Sequence, residues 1–218
     1  IKTKVKNTLI NDIRQTFDNL RRFRMKLNPA KCTFGVPAGK LLGFLVSSRG
    51  IEVNAVKIRA IERMTVPREL KDVQKFTGSL ASLSRFVSRL GEKALPLYAL
   101  MKKSDTFVWT PQADAAFKEL KTMLATAPIL ASPLEREPML LYIAATNRVV
   151  SVVVVVEREE EGKTVQRPVY YLSEVLSLSK QNYPHFQKMT YGVYMAATKL
   201  KHYFEELLSP EFDQVRGG

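Results

Sequence analysis

Apolar residues along this chain keep two periods, and the change from one to the other divides it. Ile10, Ile13, Phe17, Leu20 and Phe23 follow the three-and-four spacing of one helical face, which predicts an amphipathic helix over 11–25. Asn28-Pro29 stops it, because the residue before a proline is pushed out of the α region. Two short apolar runs follow, KCTFGV (31–36) and KLLGFLVS (40–47), separated by Pro37, Ala38 and Gly39. They predict a β-hairpin with Gly43 inside its second strand, where a glycine weakens pairing unless another backbone comes close. Asn54 opens a short helix through Lys57, Ile58 and Ile61 that Pro67 ends.

The longest helical signal covers 70–90, where Val73, Phe76, Leu80, Leu83, Val87 and Leu90 form one unbroken apolar seam. Beside the seam, Lys71, Lys75, Gly78, Ser82, Arg85 and Arg89 fall on a second line, basic at its ends and small in its middle. Gly91 closes this helix, and 95–103 predicts another short one. Thr110-Pro111 reads as an N-cap followed by proline at the first helical position, with Ala116, Phe117, Leu120, Met123 and Leu124 as the buried face. Trp109 is expected in that core. The proline-punctuated stretch 127–138 is a connector. Beyond it the period changes to strands: MLLYIAA (139–145), VVSVVVVVE (149–157), an acidic turn, and RPVYYLSEVL (167–176). The valine run alternates too little for a half-exposed strand and is expected to be central and covered on both faces. A last helix over 181–204 is expected to bury Phe186, Met189, Val193, Ala196, Leu200 and Phe204.

Charge sharpens this division. The chain carries +13 overall, but residues 1–103 hold 22 Lys and Arg against 7 Asp and Glu, whereas 104–218 hold 12 against 14. A basic first half is the electrostatic footprint of a nucleic-acid surface. On the 70–90 line, lysine and arginine would neutralise phosphate, and the small residues between them would let a duplex edge approach. A glycine there costs about 1 kcal/mol against alanine in an exposed helix, so close approach explains it; close helix packing is the alternative. The one cysteine, Cys32, excludes an internal disulfide framework. The longest apolar run, 149–156, is far too short to span a bilayer, so no membrane partner is expected. His185 and His202 have no ligand partners at metal spacing, and the glutamates at 157–161 are expected to solvate a turn.

The order MKLNPAKCTF then GKLLGFLVSSRGI resembles the segment of gypsy-type long-terminal-repeat retrotransposon polyproteins just after the reverse transcriptase active site. Further matches run in the same order to about Phe204: VPRELKDVQKFTGSLASLSRFVSRL, FVWTPQADAAFKELK and RPVYYLSEVLS. The resemblance implies that the hairpin is a primer grip, which holds the 3′ end of the growing strand, with Leu42 and Gly43 as its tip. It implies that 70–90 is a thumb helix lying in the primer-template minor groove, with Gln74 and Gly78 as tracking residues. Ser82 departs from the large aromatic usual in retroviral relatives. In the family, IKTKVK would follow within a few residues a Tyr-x-Asp-Asp turn that binds magnesium, so the polymerase carboxylates are expected upstream of this chain; Asp12 and Asp18, on a helix, do not replace them.

Three strands and then a helix resemble the opening half of a ribonuclease H fold, whose chemistry needs clustered carboxylates around two metal ions. The family's Thr-Asp-Ala-Ser tetrad reads Ile143, Ala144, Ala145, Thr146 here, and its Tyr-Glu-Lys-Glu reads Phe186, Gln187, Lys188, Met189. Ala144, Gln187 and Met189 therefore mark lost catalytic positions, since none can charge-balance magnesium. Similar degenerate copies form the connection-like region of plant gypsy-type elements.

The expected fold is α+β: a palm end with the hairpin over 1–66, a helical thumb over 67–126, the connector 127–138, a truncated RNase H-like β-β-β-α domain over 139–204, and a disordered tail over 205–218. The expected function is that of a fragment of an RNA-directed DNA polymerase, gripping an RNA/DNA primer-template with no catalysis of its own. No cofactor is expected in this chain, magnesium belonging to the intact parent, and the expected partners are a nucleic-acid duplex or hybrid and other parts of the same polyprotein. Two other readings stay open, a non-catalytic nucleic-acid-binding module and a decayed element remnant without function.

Overall fold

A computed structural model describes residues 8–102, 106–134 and 136–205. The opening segment IKTKVK and, but for Glu205, the tail expected over 205–218 lie outside them. The chain divides into two compact units between Pro37 and Ala38.

In the first unit, α1 (Leu9–Arg22) forms where the apolar period predicts a helix, and Phe17 meets Phe34 at 6.2 Å between ring centroids. The run 31–36 is not a strand. The Asn28 side chain accepts a hydrogen bond from the Ala30 amide at 3.0 Å and caps a single 3₁₀ turn, Pro29–Lys31, while Gly35 takes a φ of +66°. Local capping and a left-handed glycine thus remove the extended conformation that the apolar pattern suggested.

The second unit opens with an antiparallel sheet, β1 (Ala38–Leu41), β2 (Phe44–Ser47) and β3 (Gly50–Val53), in sequence order. Its first turn is Leu42-Gly43, not Pro37–Gly39: φ is +49° at Leu42 and +84° at Gly43, the pair of positive values that a tight primed hairpin turn requires. Ile51 of β3 exchanges backbone hydrogen bonds with Leu130 at 2.8 and 2.9 Å. This stitch needs Gly50, because a Cβ there would stand 2.0 Å from the Leu130 carbonyl oxygen.

Asn54 caps α2 (Ala55–Glu62) through the Val56 amide. The helix expected over 70–90 breaks. It runs as α3 (Leu70–Ala81), followed by a 3₁₀ turn at Ser84–Phe86 and a left-handed Arg89 at φ +54°. Hydroxyls compete with the helical backbone here: Thr77 Oγ1 donates to the Val73 carbonyl at 2.9 Å, Ser79 Oγ to Lys75 at 3.0 Å and Ser82 Oγ to Ser79 at 2.8 Å. The apolar seam survives the break, since Leu83, Phe86, Val87 and Leu90 stay buried. Gly91 does not end a helix but sits inside α4 (Leu90–Lys93), its amide donating to Ser173 Oγ at 2.9 Å. α5 (Leu95–Leu100) and α6 (Pro111–Ala125) complete this core, with Phe76 against Phe117 at 4.6 Å and Trp109 against Phe117 at 6.0 Å.

The segment between α6 and the second sheet is tied to both neighbours. Leu130 pairs with Ile51, Ala131 donates to the Pro168 carbonyl at 2.8 Å, and Glu137 takes two hydrogen bonds from Arg158 at 2.8 and 2.9 Å. The sheet is β4 (Met139–Ala145), β5 (Val149–Glu160) and β6 (Lys163–Val175), antiparallel in that order, with a register shift at Val154/Val155 where Pro168 interrupts β6. β5 is central. Its Val150 and Val152 pack with Met195 and Ala196, while Val149 and Ser151 belong to the side of Gly91 and Ser173. Among the described residues, the outer edge of β4 faces no strand.

α7 (Leu178–Gln181), α8 (His185–Lys199) and α9 (Lys201–Glu205) follow. α8 is turned relative to the expected face: Phe186 is 67% and Val193 49% exposed, while Lys188, Gly192, Met195 and Ala196 are buried. Gly192 sets the turn, since a Cβ there would stand 2.6 Å from Ile143 Cγ2 and 3.1 Å from Val150 Cγ1.

Candidate nucleic-acid interface

Leu42 and Gly43, which the resemblance makes a primer-grip tip, form the turn between β1 and β2 rather than part of a strand. A leucine in the left-handed region costs roughly 1–2 kcal/mol, and this one is 87% exposed, so no packing within the described chain repays the strain. Behind the tip stands Lys57, a residue the sequence placed on a helix but assigned no role. Its Nζ lies 5.2 Å from the Phe44 ring centroid and 2.8 Å from where a Gly43 Cβ would be. The capping of α2 by Asn54 fixes the first helical turn and with it Lys57, and that cap was the available signal. Among the described residues no carboxylate pairs with the Lys57 ammonium.

On α3 the structure brings together Lys71, Gln74, Lys75 and Gly78, all exposed at positions i, i+3, i+4 and i+7. Nothing lies within 4 Å of a Cβ built at Gly78, so packing inside the described chain does not explain the glycine. Ser82 ends the helix, exposed, with its hydroxyl turned back onto Ser79.

The break after α3 removes the two arginines from this line, a correction to the continuous basic face. Arg89 chelates Glu92 at 2.8 and 2.7 Å. Arg85 turns inward: its guanidinium carbon lies 4.5 Å from the Tyr170 ring centroid and 5.6 Å from that of Phe44, and its NH2 donates to the Tyr203 hydroxyl at 3.2 Å. Its Nε is buried with no hydrogen-bond partner among the described residues.

Of the positions that the resemblance sets against ribonuclease carboxylates, Ala144 is exposed on β4 opposite Ser151, Gln187 is exposed on α8 and Met189 is half-buried. Between the last two, Lys188 is buried with Nζ 3.5 Å from the Asn147 carbonyl. A methyl, an amide, a thioether and a neighbouring ammonium do not fit a magnesium site. Among the described residues no three His, Cys, Asp or Glu side chains stand together as a metal site. Nearby, Glu174 ties β6 to α8 by accepting from Tyr191 at 2.5 Å and Lys199 at 2.7 Å. Burial pushes its carboxyl up, but these hydrogen bonds outweigh burial and hold it below the usual range.

Residues 109–211 match the family model of the RNase H-like domain found in reverse transcriptase. The Tf2-3 and Tf2-4 transposon polyproteins of Schizosaccharomyces pombe are each 24% identical over 210 residues, 96% of this chain. Over that span the chain is similar to these transposon polyproteins. It spans 16% of the length of those two. A foamy viral protease-reverse transcriptase in complex with RNA/DNA hybrid superimposes with a TM-score of 0.74 at 19% identity, over 96% of this chain and 28% of that one. The dRH form of that viral protein in complex with ds DNA gives 0.73 at 20% identity, over 96% and 36%. At these identities the likeness is one of fold, and it extends across the hairpin, α3 and the second sheet of this chain.

Proposed function

We propose that this chain is the duplex-holding portion of a reverse transcriptase from a gypsy-type element, with Leu42-Gly43 as a primer grip and α3 as a thumb helix tracking an RNA/DNA hybrid. The observation that carries the reading is the α3 face itself, where Lys71 and Lys75 flank an open Gly78. Two cations neutralise phosphate, and the missing side chain lets a sugar edge reach the helix. Lys57 adds a third cation beside the hairpin tip. The solved relatives described above hold RNA/DNA hybrid and ds DNA, which supports the same class of partner here.

Anisotropy of a labelled RNA/DNA hybrid across a salt series tests this. The chain is expected to bind with steep salt dependence, and Lys71→Glu/Lys75→Glu to lower the slope of log affinity against log salt by about 0.9 for each phosphate no longer neutralised. Gly78→Trp should weaken binding with the slope unchanged. If the chain and both variants bind alike, the positive charge is unspecific and the remnant reading stands.

We further propose that the RNase H-like part is structural rather than catalytic, on the strength of Ala144, Gln187 and Met189. Purified chain with magnesium should leave a labelled hybrid intact; degradation that a point substitution in this chain abolishes would overturn the reading.

A further inference from the structure

We propose that Arg85 is a positioning residue through which the RNase H-like part braces the hairpin tip; the proposal rests on the grip reading above. The guanidinium touches three separate stretches of the chain. Phe44, the residue immediately after the Leu42-Gly43 turn, lies 5.6 Å away, Tyr170 of β6 lies 4.5 Å away, and Tyr203 of α9 takes a hydrogen bond at 3.2 Å. The two tyrosines meet edge to face at 5.9 Å, so they form one aromatic wall. Phe44 is fixed from its own side by Phe86 at 5.6 Å and by the Lys57 ammonium at 5.2 Å.

The break after α3 is what makes this contact. Continued as a helix, the segment would carry Arg85 on the exposed line of Lys71, Lys75 and Gly78. The 3₁₀ turn Ser84–Phe86 instead aims it at the rings, and Nε is buried there without a hydrogen-bond partner among the described residues. Leaving the buried Nε–H of a half-buried arginine unsatisfied is unfavourable, and a methionine would fill the same space without that penalty. What a planar cation adds is contact with more than one ring together with a directed hydrogen bond, which neither lysine nor methionine reproduces. At the tip Leu42 is exposed and Gly43 stands against the Lys57 side chain, which itself lies over the Phe44 ring, so the direction of the tip follows from Phe44. Whatever holds Phe44 therefore aims Leu42 and Gly43. The RNase H-like domain thus keeps a role in the grip without any catalytic carboxylate: it supplies the far wall against which Arg85 rests.

The experiment uses the full chain with Tyr170→Ala, Tyr170→Phe, Arg85→Lys and Arg85→Gln, each checked for a cooperative melt, and reads two quantities. The first is hybrid affinity across a salt series. Tyr170→Ala and Arg85→Lys should weaken it about fivefold with the salt slope unchanged, whereas Tyr170→Phe, which keeps the ring, should match the parent chain. A weaker affinity in Arg85→Gln accompanied by a slope lower by about 0.9 would make Arg85 a phosphate contact and overturn the proposal. The second is amide hydrogen exchange in the hairpin 38–47, which needs no nucleic acid. Tyr170→Ala should speed exchange there, on the other side of Arg85 from the substituted strand, and Tyr170→Phe should not. If the parent chain binds no hybrid, the grip reading fails while the exchange result still decides the brace. Unchanged exchange in Tyr170→Ala overturns the brace whatever the binding shows.

Discussion

Leu42 carries a contradiction at the scale of one side chain, being both conformationally unfavourable and almost wholly exposed. Asparagine tolerates the left-handed region and, before glycine, is the preferred residue of a primed turn. Leu42→Asn is therefore expected to stabilise the isolated chain by about 1 kcal/mol, read as a higher urea midpoint, while weakening hybrid binding by removing the apolar tip. A midpoint that stays put or falls would show that the turn is not strained. Gly43 was legible in the sequence as an oddity, but its place was not. Pro37, Ala38 and Gly39 are the stronger turn signal by composition, and only the pairing of Leu41 with Phe44 shows that the chain reverses at the weaker one. Arg85 was misassigned for a related reason, since helical spacing puts it on the basic line only if the helix continues.

Among the elements, the segment 127–138 acts as a strap, held at the second sheet by the Ala131 hydrogen bond to Pro168 and by an ion pair. The Arg158 guanidinium hydrogen-bonds Glu137 and holds its carboxyl below the ordinary value of 4.5, against burial and with help from the Leu134 amide at 2.7 Å. Because the folded value is depressed, this stabilisation is complete above the unfolded value and is lost as pH falls through the folded one. Glu137→Gln should cost about 1–2 kcal/mol at pH 7, and the gap between the two denaturation midpoints should close below pH 4.5. A gap that does not change with pH would assign the effect to packing. Elements with an unambiguous local signal were read well: Thr110-Pro111 starts α6, and MLLYIAA is β4 residue for residue. The faces of α3 and α8 were read less well. Back-bonding hydroxyls ended one, and a glycine needing contact with Ile143 rotated the other.

In the whole molecule, the charge asymmetry between the halves was plain from composition, and so was the change from helices to strands. The linkage between them was not, because it is made by residues far apart in the chain: Gly91 on Ser173, Ile51 paired with Leu130, and Arg85 on Tyr203. None of these residues belongs to a periodic pattern that would announce its partner. The second sheet carries a further consequence at this scale. β4 has no charged residue and no proline along MLLYIAA, the devices that ordinarily keep an edge from recruiting another strand. At low ionic strength the charge of +13 keeps copies apart, but at physiological salt that repulsion reaches only about 8 Å. Raising salt therefore removes the barrier to strand-on-strand association, and a concentrated preparation at high salt is the one most prone to gel.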